Sequence, residues 1–103
     1  MEVEEAILKL SRFGLVAKFI GGEDRRIMGG TEVTREREIV VYHHSFAIYR
    51  ENTDWIAAVC GPGQFDTISE VKSLEEAVDE VCRIYRDRRS KGELYSLRIT
   101  AKF

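Results

Sequence analysis

Apolar residues at Val3, Ala6, Ile7, Leu10 and Phe13 recur at helical spacing, so the pattern predicts an amphipathic helix from Val3 to Phe13. Glu2, Glu4 and Glu5 crowd its positive end, and Gly14 suits its stop. "LVAKFI", Leu15 to Ile20, reads as a strand that ends in the turn Gly21-Gly22-Glu23-Asp24. The next stretch, "RRIMGGTEVTRERE", is charged and broken by Gly29-Gly30. Any strand around Ile27-Met28 or Glu32-Val33-Thr34 is therefore short.

Three runs of β-branched, aromatic and small apolar residues follow, Ile39 to His43, Phe46 to Arg50 and Trp55 to Cys60. Turn formers Asn52, Thr53 and Asp54 separate the last two, and "HHS" separates the first two. This predicts a meander, with one long bent strand as the alternative for the first two runs. A short strand is expected at Thr67 to Val71. Ser73 then stands three residues before Glu76, a capping box in which each side chain answers an amide at the helix start. Leu74, Ala77, Val78, Val81, Cys82 and Tyr85 form one apolar stripe, acidic residues lead, basic residues trail, and Gly92 closes the helix. The tail alternates Tyr95, Leu97, Ile99, Ala101 and Phe103 against Ser96, Arg98, Thr100 and Lys102, the pattern of a half-buried strand.

The order is α-β-β-β-β-α-β, which predicts a single α+β domain over residues 1–103: a mostly antiparallel sheet of about 4–6 strands with two amphipathic helices. Length fits one core and excludes a second. With 44% hydrophobic and 33% charged residues and one proline, the chain has a globular composition. A formal net charge of −2 gives no global field for nucleic acid, so nucleic acid is an unlikely partner. No apolar run is long enough to span a bilayer, and the acidic start is unlike a secretory signal. These features predict a cytoplasmic protein without membrane association. In that compartment Cys60 and Cys82 stay as thiols.

Chemistry has few footholds. His43 and His44 are adjacent, and adjacent strand residues point to opposite faces, so they cannot share a metal ion there. No metal site or cofactor is expected. Cys82 falls on the buried stripe of a helix, whereas Cys60 ends a strand beside a turn and has no cation in its local sequence. Gly61-Pro62-Gly63 fits a type II turn, since proline presets the second position and glycine supplies positive φ at the third. It fits neither a nucleophile elbow nor a dinucleotide loop. What remains as a catalytic candidate is Cys60 with Asp66 and either His43 or His44, the constellation of a small enzyme or ligand-binding domain. Arg83, Arg86, Arg88 and Arg89 are candidate phosphate contacts, although basic residues at a helix C-terminus also answer its dipole.

The turn at Asn52-Thr53 would pair Arg50 with Trp55, Ile48 with Ala57 and Phe46 with Val59 on one face. Tyr49 with Ile56 and Ala47 with Ala58 would then occupy the other. Strands apolar on both faces are normally covered on both. If both helices lie on one face, Tyr42, Tyr49 and Ile56 become an aromatic-rich interface for a homodimer or another protein. The leading expectation is a small non-catalytic protein-binding domain, in character a toxin-neutralising immunity or inhibitor protein that covers a basic target.

Overall fold

The computed structural model describes residues 1–21 and 25–102, with the side chain of Lys102 left aside. Most of the expected Gly21-Gly22-Glu23-Asp24 turn and Phe103 of the tail fall outside the described residues. The architecture is α+β. Two helices, α1 (Val3–Phe13) and α2 (Leu74–Lys91), frame seven strands, and an eighth strand closes the chain. β1 (Val16–Ile20), β2 (Arg26–Gly30), β5 (Phe46–Glu51), β6 (Asp54–Cys60) and β7 (Phe65–Val71) make one antiparallel sheet in that spatial order. β3 (Glu32–Glu36), β4 (Ile39–His43) and β8 (Ile99–Lys102) make a second.

Local chemistry sets the element ends. Gly14 and Gly92 both adopt left-handed φ (102° and 68°) and return their amides to carbonyls of the last helical turn. Ser73 accepts the Glu76 amide at 3.1 Å, as a capping residue should. The reciprocal half of the expected box differs, because the Glu76 carboxylate meets the Ser73 hydroxyl (3.2 Å) and not its amide.

Both helices lie on one face of the five-stranded sheet. The stripe of α2 is buried along its whole length with Ile84 added, and Ala6 and Leu10 of α1 join it over Ile27, Phe46, Ile48, Ala57 and Val59. The β5–β6 register matches the two-residue turn, with Arg50 opposite Trp55, Ile48 opposite Ala57 and Phe46 opposite Val59. Gly29 faces Phe46, and a Cβ there would run into the Phe46 ring and the Val16 carbonyl.

Of the expected meander the β5–β6 step stands, while the β4–β5 step is corrected toward its alternative, one long bent path. β4 and β5 do not pair; they are consecutive legs of one chain path that bends at His44-Ser45, where His44 takes φ 49°. Their partners β3 and β2 bend with them at Thr31, whose amide donates to the His43 carbonyl at 2.9 Å. One long hairpin thus crosses from the first sheet into the second. Gly30 permits the crossing, since a Cβ there would overlap the His43 backbone. β8 then adds to β4 on the far side from β3. Residues 93–98 form no strand, although Tyr95 and Leu97 remain half-buried and Ser96 and Arg98 exposed, as the alternation requires.

Candidate functional site

The hairpin corner gathers three of the four catalytic candidates. Cys60 ends β6, and a tight chain reversal follows: Gly63 has φ 82°, as the third position of a type II turn requires, but Gly61 donates to the Gln64 carbonyl at 2.6 Å, the reverse of the bond that closes such a turn. Pairing shifts from Val59 opposite Thr67 to Cys60 opposite Phe65, which leaves Asp66 as the extra residue of a β-bulge. His44 arrives from the other sheet's end of the bend. His43 does not join them: its Nε2 lies 3.2 Å from Thr34 Oγ1 and 3.8 Å from a Glu32 carboxylate oxygen, on the second sheet.

The geometry assigns these groups to a latch. Cys60 Sγ donates to the Tyr95 carbonyl at 3.1 Å, and His44 Nδ1 lies 2.7 Å from the same oxygen. A carbonyl only accepts, so His44 carries its proton on Nδ1, and thiol and imidazole serve one acceptor side by side. They are not aligned as nucleophile and base. Cys60 is only 1% exposed, and burial pushes its thiol up; the nearby Arg88 charge pulls the other way with less effect.

Arg88 holds the corner together. Its side chain, 11% exposed, donates to the Cys60 carbonyl and to Thr67 Oγ1 (2.6 Å), lies 3.8 Å from Asp66 and stacks 5.1 Å from the Tyr95 ring centre. Tyr85 donates to the His44 carbonyl. Ser45, fully buried, places its hydroxyl 2.8 Å from the Tyr42 carbonyl and 2.5 Å from that of Leu97. Sequence reasoning missed Ser45 and the buried role of Arg88. A signal for Arg88 existed: it continues the Leu74, Val78, Val81, Tyr85 stripe by one more turn.

The remaining arginines of the basic cluster are also engaged. Arg83 makes a forked bond to Glu80 (2.8 and 3.0 Å), while Arg86 and Arg89 lie over the Phe13 ring at 5.6 and 5.1 Å. Among the described residues no group of three or more His, Cys, Asp or Glu side chains is placed to hold a metal, and no helix is long and apolar enough to cross a membrane.

The sheet face opposite the helices is a second feature. One row crosses all five strands in register: Lys18, Met28, Ala47, Ala58 and Ile68. The two alanines floor a groove between Met28 and Tyr49 on one side and Phe65 and Ile68 on the other, with Arg26 and Glu51 at its rim. Ile68 is 60% exposed. The expected patch is corrected here. Tyr42 lies on β4 and is 1% exposed, and Ile56 is buried among its neighbours, so of the three only Tyr49 reaches the surface, half-buried beneath Arg26. No protein-family model, curated protein or solved structure matches the chain.

Proposed function

We propose that this is a non-catalytic, cytoplasmic binding protein of the immunity or inhibitor kind, which docks a protein partner on the uncovered face of its five-stranded sheet. The observation that carries this reading is the placement of both helices on one face, which leaves Ile68 exposed on the other beside a groove whose floor, Ala47 and Ala58, is buried by its walls. Its partner is a surface with one apolar side chain for the groove and basic residues around it. Glu51, Asp54 and Glu70 support that charge preference against Arg26 at the rim and Lys72, which bonds Asp54 at 2.7 Å. Asp54 beside Glu70 raises the Glu70 carboxyl, by a shared hydrogen bond first and by charge second, as expected where negative charge is crowded. A basic partner relieves that crowding.

The enzyme reading receives less support, because its thiol is buried, protonated and already bonded. Alkylation by iodoacetamide near neutral pH separates the two: an inert Cys60 fits the binding reading, and fast modification would sink it. The docking face is tested with Ile68→Arg, which sets a charge on the exposed wall of the groove, beside Glu4→Lys on the distant α1. Partner recovered by wild type and Glu4→Lys but lost by Ile68→Arg, with affinity falling as salt rises, supports the proposal. Equal recovery by all three overturns it.

A further inference from the structure

We propose that a recess at the margin of the helix layer binds a small organic carboxylate with an aromatic or branched apolar body. It lies on the helix-bearing side of the sheet, so it is independent of the docking groove. Phe19, Ile27, Trp55 and Leu74 supply apolar walls, and exposed Arg25 and Arg50 stand at its open side. Its volume is about 200 Å³. A cavity of roughly 150 Å³ holds one benzene ring, so the recess has room for a ring and a short acid arm.

Three features select the ligand. Two guanidinium groups share one small recess, and among the described residues neither forms an ion pair, a side-chain hydrogen bond or a ring contact. An anion seated in the recess is attracted by both arginines at once. The planar arginine fork matches a carboxylate in two parallel bonds. Glu2 also lines the recess and disfavours a dianion such as a phosphate monoester, which leaves a monoanion as the better fit. The walls then require the rest of the ligand to be apolar, in the usual pattern of a mostly apolar site with a few polar groups that fix orientation.

Trp55 is the only tryptophan in the chain, so its fluorescence reports on the recess directly. Wild-type protein is titrated with phenylacetate and with its neutral analogue phenylacetamide. Saturable change with phenylacetate, about tenfold tighter than the amide, is the expected result, since one charge-assisted bond is worth about that factor. Arg50→Gln, and separately Arg25→Gln, should each reduce the preference while leaving the urea midpoint in place, because both side chains are exposed. Val3→Phe should abolish binding of both probes by filling the recess. No saturation at millimolar phenylacetate overturns the proposal. So does equal binding of acid and amide, or a preference that survives loss of both arginines.

Discussion

Gly61 and Gly63 sit two residues apart in one turn and are required for different reasons. Gly63 has φ 82° with open space around it, so the demand there is conformational. Gly61 has no such φ, yet a Cβ on it would occupy the place of the Asp66 carboxylate. Gly61→Ala must therefore push Asp66 out of its position 3.8 Å from Arg88. The expected loss is about 1–2 kcal/mol, and Asp66→Ala should recover most of it by making room, a coupling of the size seen between contacting residues. Urea denaturation of the two single variants and the double variant measures this. Strictly additive losses would show that Gly61 is needed for something other than space. Asp66 thus stands in the sequence as a candidate acid and in the structure as a bulge residue that fixes a turn against a helix. No local pattern distinguishes these roles, because the partner that decides between them, Arg88, is 22 positions away.

At the scale of elements, the corner at His44-Ser45 joins the two sheets, and β8 depends on it. The Ser45 hydroxyl touches a carbonyl on each side of the bend's junction, Tyr42 in β4 and Leu97 just before β8. Ser45→Ala removes the single hydroxyl proton that these two carbonyls share, which costs about 1–3 kcal/mol. The loss should be local. Hydrogen exchange is expected to speed up across residues 93–102 while α2 keeps its protection, and uniform acceleration of both would contradict a latch. The same corner marks the limit of what the sequence disclosed. The β5–β6 hairpin was readable because Asn52-Thr53 fixes its register within ten residues, and α2 was readable from its cap to its stripe. The partners of β4 were not. One is β3, a strand exposed at every position, and the other is β8, almost 60 residues later. Apolar alternation on both sides of β4 looked like a meander because a strand buried by a neighbouring sheet has the same pattern as one paired to the next run. The docking face shows the same limit. The two-residue turn pairs Ala47 with Ala58, but the groove they floor depends on Met28 and Phe65, from strands whose order no local pattern reveals.

For the whole molecule, burial of acidic hydrogens makes stability sensitive to high pH. Cys60 and Cys82 are both raised, mainly by burial, and so are Tyr42 and Tyr85, the last strongly. In the unfolded chain thiols lose their protons near pH ~8.5 and phenols near pH ~10, whereas the folded chain holds all four protons longer. Between the unfolded and folded values the unfolded state binds fewer protons, so stability falls as pH rises. The contribution is complete below the unfolded thiol value and declines above it, with a steeper second decline beyond the phenol value. Carboxylates act at the other end of the scale. Lys72 lowers Asp54 and Arg83 lowers Glu80, and their stabilisation is lost as pH falls through the folded values, while the raised Glu70 opposes them. The alkaline side has no such cancellation among these groups, because all four are shifted in one direction. Urea midpoints followed from neutral to strongly alkaline pH should therefore decline in two stages. Replacing both cysteines, Cys60→Ser with Cys82→Ala, should remove the first stage and keep the second. A midpoint that holds steady through the phenol range would mean that water reaches Tyr42 and Tyr85, and with them the seam between the two sheets and the α2 corner.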